Sequence, residues 1–200
     1  MGRPAKTRRL ADIDPSTFAL VISKYAADHI ASLLHLPQRK VNWPVPVLED
    51  WLVEDILVYE ATTLAHYAKT GERLAVLPSG VVCEPPDNSI EDVVRVVCRT
   101  LFSYAMVDDA MVTPDDVDLE PASDLGIVLL AAQARIRLAR NEAVPVRELA
   151  CLANIDPDHV RLLARDGQMI QGQMALVAGG IASPIAREWL AARGVTGEWQ

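Results

Sequence analysis

The sequence predicts a mainly α-helical fold, and three observations carry that prediction. Half of the residues are hydrophobic but only 5% are aromatic, so a core must be built from Leu, Val, Ile and Ala. Ala and Leu, strong helix formers, dominate long stretches. Apolar residues recur at helical spacing behind Ser, Asp and Pro start signals. Two hundred residues suffice to bury such a core without disulfides or metal.

The elements follow in order. A first helix is expected after Asp14-Pro15, with Pro15 near its first position, running to about Leu34. The stretch around Pro37, Pro44 and Pro46 is too broken for regular structure and reads as a loop. Leu48 to Lys69 reads as a second helix. Leu48, Trp51, Leu52, Ile56, Tyr59 and Leu64 lie near one stripe of it, and Gly71 follows as a stop. Leu74 to Glu84 reads as a small β-hairpin about Pro78-Ser79-Gly80. Ser89-Ile90-Glu91-Asp92 is a capping signal for a third helix ending at Met106. Residues 108–121 read as an acidic loop. Ser123 then caps a helix whose first half is apolar all round, as a central buried helix is. Arg135, Arg137 and Arg140 are expected to bring its last half into solvent. The composition changes at Asn141 to Pro145, which sets three regions: a basic, mobile arm (1–14), a helical body (15–144) and a small C-terminal domain (145–200).

Charge is segregated along the chain. The net charge is −8. Residues 1–10 carry four bases and no acid, residues 11–132 carry 7 bases and 20 acids, and residues 133–200 carry 8 bases and 7 acids. The middle repels a phosphate backbone, whereas the two ends need not. No apolar run exceeds nine residues, and the one from Gly126 to Ala132 counts seven, far short of the ~18 needed to span a membrane. The basic N-terminus lacks the apolar segment that would follow it in a signal peptide. Cys83, Cys98 and Cys151 are odd in number and widely spaced, which fits a reducing cytoplasm rather than a disulfide framework.

Residues 146–165, VRELACLANIDPDHVRLLAR, carry the most information. Two short helices crossing near a right angle need a small residue within the first, and Ala150 supplies it. The turn needs a residue tolerant of positive φ, usually Gly and sometimes Asn, and Asn154 stands there. Leu149, Ile155, Val160 and Leu163 are apolar anchors. Asp156 caps the second helix, with Pro157 at its first position. Arg165-Asp166-Gly167-Gln168-Met169 then stops that helix, Met169 to Val177 reads as a wing with Gly179-Gly180 turning the chain, and Ser183-Pro184 opens a closing helix. This pattern, over residues 145–194, resembles the winged helix-turn-helix of MerR-like and excisionase-like proteins.

The resemblance implies double-stranded DNA as partner, with Asp156–Arg165 inserted into the major groove. Arg161 and Arg165 would pair with guanine edges or hold phosphate, flanked by His159. Arg147 would meet the backbone, and Gln168, Gln171 and Gln173 would reach phosphate or a minor groove from the wing. Asp156 and Asp158 depart from this picture, because their charge opposes anion binding at a helix N-terminus. Asn154 departs from the commoner Gly.

The N-terminal arm adds Arg3, Lys6, Arg8 and Arg9. Gly2-Arg3-Pro4 resembles the core of an AT-hook, which implies arginine laid into a narrow AT-rich minor groove. The other reading is a solvated basic tail, which still adds phosphate contacts.

No catalytic constellation is found. His29, His35, His66 and His159 have no metal-ligand spacing, and the cysteines read as small hydrophobes. The acidic pairs Glu49-Asp50, Glu54-Asp55, Asp108-Asp109 and Asp115-Asp116 read as exposed faces and loops. Neither a P-loop nor a dinucleotide-binding glycine motif occurs, so no cofactor and no metal is expected. Two functions remain. The first is a dimeric, sequence-specific transcriptional regulator of a bacterial or phage type, its body dimerising or receiving a signal. The second is a protein–protein module, such as an antitoxin, inhibitor or assembly adaptor, whose acidic body engages a basic partner.

Overall fold

The computed structural model describes residues 9–34, 50–74, 89–101, 123–170 and 175–197. They form seven helices and one two-stranded antiparallel sheet, so the fold is mainly α. The helices are α1 (Pro15–Leu34), α2 (Asp50–Thr70), α3 (Ile90–Leu101), α4 (Asp124–Ala139), α5 (Val146–Ala153), α6 (Pro157–Arg165) and α7 (Ser183–Ala192). The strands are β1 (Leu176–Val177) and β2 (Gly180–Ile181). The expected hairpin at 74–84 and the acidic loop at 108–121 fall almost wholly outside the described residues, as do residues 102–106 of the expected third helix.

Local chemistry sets the helix ends. Asp14 accepts the Thr17 N–H at 2.8 Å to start α1. The Thr17 backbone N–H and hydroxyl hold the Asp14 carboxyl below its ordinary range. Ser89 and Asp92 satisfy each other's backbone N–H groups at 2.9 and 3.2 Å, a reciprocal cap that opens α3. Ser123 accepts the Gly126 N–H at 3.0 Å to open α4. Helix α2 stops at Gly71, whose φ of 81° suits a residue without a side chain.

Helix α4 is the axis of the fold. Ile127, Val128, Leu129, Ala131, Ala132, Ala134, Ile136 and Leu138 are all buried. It packs against α2, α3, α5 and α7. The small residues Ala61, Ala65 and Ala68 on α2 are fully buried, which permits close approach of neighbouring helices. Beyond α2, α1 contributes Phe18, Ala19 and Ile22 to the same core.

The expectation for the second half of α4 needs correction. Arg135 does not emerge into solvent; it is 1% exposed. Its Nε donates to Ala68 O at 2.8 Å, Nη2 to Lys69 O at 2.7 Å and Nη1 to Thr196 O at 2.9 Å. The guanidinium thus meets carbonyls that the end of α2 leaves without intrahelical donors, and it ties α2 to the C-terminal segment. Burial pulls it down to about 10, still a cation at neutral pH. Arg137 is half-buried and bonds both oxygens of buried Glu148 on α5 at 3.1 and 3.2 Å. Arg140 does reach solvent, paired with Glu91 at 2.9 Å.

Residues 10–14, read as the end of the arm, are seated on the core. Leu10 and Ile13 are buried, and a short 3-10 turn spans Leu10–Asp12. Lys69 Nζ donates to Ile13 O at 2.9 Å and Ala11 O at 3.3 Å.

Candidate nucleic-acid interface

The segment after α4 runs through Val144, α5, a tight turn, α6 and a hairpin. Helix α5 buries Leu149, Ala150 and Leu152. It ends at Asn154, which takes the left-handed conformation at φ 56° and ψ 38°. Ile155 N donates to Ala150 O at 3.1 Å and Asn154 N to Cys151 O at 3.2 Å, which closes the last carbonyls of the helix. Asp156 accepts the Asp158 N–H at 2.8 Å and caps α6, with Pro157 in its first turn. The small residue, the turn residue and the cap therefore stand where the sequence places them.

The hairpin β1–β2 lies beside this unit. Leu176 pairs with Ile181 and Val177 with Gly180. On the other side of β2, Val144 and Ile181 exchange two backbone hydrogen bonds at 2.9 and 2.8 Å. Gly180 is required there: at φ 144° a Cβ would stand 2.2 Å from Val144 O. Met169, expected to begin the wing, is instead buried in the turn after α6. Among the described residues the strands are Leu176–Val177 and Gly180–Ile181, and residues 171–174 of the expected wing lie outside them.

Helix α6 turns Val160 and Ala164 inward. Its outer half carries Asp158, His159, Arg161, Leu162 and Arg165, all exposed. Arg161 and Arg165 share one side of that half, and His159 flanks the other. Arg161 pairs with Asp158 and Arg165 with Asp166 at 2.9 Å. Both arginines are more than half exposed, with side chains at 59% and 69%. Such pairs are worth no more than about 1 kcal/mol and yield readily to a stronger anion. Arg147 is exposed in the first turn of α5, and Gln168 is exposed just after α6. Gln171, Gln173, Arg3, Lys6 and Arg8 lie outside the described residues; Arg9 is exposed where the described chain begins.

Two residues of this surface escape a reading of charge alone. Leu162 is 43% exposed in the middle of the outer face of α6. Once Val160 and Ala164 face inward, helical periodicity places residue 162 outside, so that signal was present. Asn154 is the second. Its Oδ1 accepts the Ala11 N–H at 3.2 Å, which joins the α5–α6 turn to the root of the arm. A glycine there would supply the φ but not the acceptor, so the departure from Gly has a physical reason. No local pattern announces a bond across 143 residues.

Other chemistry is sparse. Burial pushes the Cys151 thiol up to about 11, aided by Glu148, so it is a poor nucleophile. Half-burial lowers His66 below its ordinary value. Among the described residues no group of His, Cys, Asp and Glu is placed to hold a metal ion, and no helix is long and apolar enough to cross a membrane. Family models, curated proteins and solved structures all give no match to the chain.

Proposed function

We propose that this protein is a sequence-specific DNA-binding protein, a transcriptional regulator acting as a dimer through a C-terminal winged helix-turn-helix. One observation carries the reading. Helix α4, the paired residue Val144, α5, a left-handed turn, α6 and the β1–β2 hairpin follow one another in the order of a winged reading head, and α6 presents two releasable arginines. Arg161 and Arg165 supply guanine or phosphate contacts, and Leu162 beside them suits a thymine methyl group. A single small head gives modest affinity, and two heads on adjacent half-sites act at high effective concentration, which is the reason for a dimer.

The test is fluorescence anisotropy at two salt concentrations, on duplexes from the upstream region of its own gene and on an unrelated duplex. The parent should prefer one duplex. Arg161→Ala and Arg165→Ala should each cost about 1–3 kcal/mol. Variants that bind as the parent does would overturn insertion of α6. The acids Asp158 and Asp166, already paired with both arginines, favour a second reading in which α5 and α6 are structural and the acidic body engages a basic partner. In that case no duplex is preferred, and a pull-down through the acidic body recovers a basic partner.

A further inference from the structure

The β1–β2 hairpin leaves one edge of its sheet open. Val144, β2 and β1 lie side by side in that order, so among the described residues β1 is the outer strand. In an antiparallel ladder, successive residues turn their N–H and C=O to opposite sides. Ile181 exchanges both of its backbone bonds with Val144, so it turns them away from Leu176, which stands opposite it. The hairpin is closed instead by the Val177–Gly180 pair and by the Ala182 N–H, which donates to Ala175 O at 2.9 Å. Leu176 therefore points its own N–H and C=O out of the edge, where no described residue meets them. The side chains repeat the pattern. Residues opposite one another share a face, so Val144, Ile181 and Leu176 form one apolar row. The first two are fully buried, and Leu176, where the row stops, is 39% exposed. Val177, on the other face, is 47% exposed. Native proteins guard such edges with a lysine, another charge or a proline. Residues 175–186 carry no charge, and none before Pro184 is a proline.

We infer that the open edge of β1 is the dimer surface, where Leu176 pairs with Leu176 of a second copy of the chain about a two-fold axis. This rests on the dimer in the reading above, but not on the contact of α6 with DNA. An antiparallel hydrogen-bonded pair of a residue with its own copy is self-complementary, each N–H donating to the other C=O. Leu176 has both groups free on one side and needs nothing more. The sheet then continues across the axis, and the apolar row runs unbroken from Val144 of one copy to Val144 of the other. A phosphate fits this edge less well: it accepts from the N–H, repels the C=O and leaves Leu176 in water. Charge also favours a second copy. The chain as a whole carries −8 and repels itself, whereas this neutral segment lets two copies meet without that cost. So short an edge makes a small interface and a weak dimer. Adjacent half-sites on one duplex supply the remaining effective concentration.

The experiment is sedimentation of the full chain without DNA, up to about 1 mM, with amide hydrogen exchange followed at low and high protein concentration. The parent should associate reversibly to a dimer, and exchange of the Leu176 amide should slow as the dimer fills. Leu176→Lys sets two like charges opposite each other, and Leu176→Pro removes the outward N–H while sparing the inward ladder. Each should weaken association about tenfold or more. Val177→Ser removes exposed apolar surface from the other face and should weaken it less than about threefold. Thermal unfolding checks that each variant is folded. A parent that stays monomeric, or a dimer whose Leu176 amide exchanges as it does in the monomer, overturns the inference. Equal weakening by Val177→Ser and Leu176→Lys also overturns it, since that marks a general apolar contact rather than a paired edge. A monomer that still prefers one duplex leaves the reading of α6 standing, and a dimer that prefers none leaves the edge standing without it.

Discussion

Helices α4 and α6 use the same side chain under opposite conditions. Arg135 on α4 is 1% exposed and gives its donors to three backbone carbonyls. Arg161 and Arg165 on α6 stand in water, each held by an acid within three residues. Charge-assisted bonds to otherwise unsatisfied buried groups are strong because breaking them strands those groups away from water. Exposed pairs are weak because water and salt replace either partner. The contrast separates two jobs: a buried arginine fixes how helices sit, and an exposed one remains available to a ligand.

The comparison is most easily broken at Arg135. Arg135→Met keeps the length and removes the donors, leaving the Ala68, Lys69 and Thr196 carbonyls to find others. The expected loss is about 3 kcal/mol of folding stability, less than three full penalties because an expensive buried cation is also removed. Chemical unfolding would measure it. Arg135→Lys should be intermediate, since one ammonium cannot satisfy that fork of carbonyls. A loss below about 0.5 kcal/mol would mean that the guanidinium is not holding α2 to the C-terminal segment.

Loss of an arginine on α6 should behave in the reverse way. Arg161→Ala and Arg165→Ala should each change stability by no more than about 0.5 kcal/mol, while carrying the losses in DNA affinity given above. If either variant unfolds as readily as Arg135→Met, the outer face of α6 is a packing surface, and the division of labour between the helices is wrong.

How much of this was legible depended on the range of the interaction. Pro15, Ser89, Ser123, Asn154 and Asp156 act on backbone a few residues away, and each marks an element end visible in the sequence. Val160 and Ala164 inside against Leu162 outside follows from helical period. Arg135 was misread for a reason of the opposite kind. Within its own helix it looks like the start of a charged, solvent-facing end; its acceptors lie 61 to 67 residues away. The bond between Ala11 and Asn154 is longer still in sequence. For the candidate interface, the exposure of Arg161 and Arg165 follows from helical period, whereas the bond from Ala11 to the turn required the fold.

Glu60 on α2 gives the smallest effect and sharpens the comparison by reversing the charge. It is buried, and its Oε2 has no hydrogen-bond partner among the described residues. Where the end of α2 has Arg135 to meet its carbonyls, Glu60 has, among the described residues, the longer-range attraction of Arg73. Burial raises its carboxyl above the ordinary 4.5, and Arg73 offsets part of that rise. The sign of the pH dependence follows. Below the unfolded value both states hold the proton and burial exacts no charge penalty. As pH rises through the folded value, the folded state must bury an anion, and the contribution to stability is lost. Glu60→Gln removes that titration. Its unfolding midpoint should exceed the parent's by a few degrees at pH 7, with the difference closing near pH 4, since about 1 kcal/mol moves a chain of this size by 2–4 °C. A difference that is the same at both pH values would show that the amide acts through packing, and that Glu60 finds the counter-charge in the native protein that Arg135 finds in carbonyls.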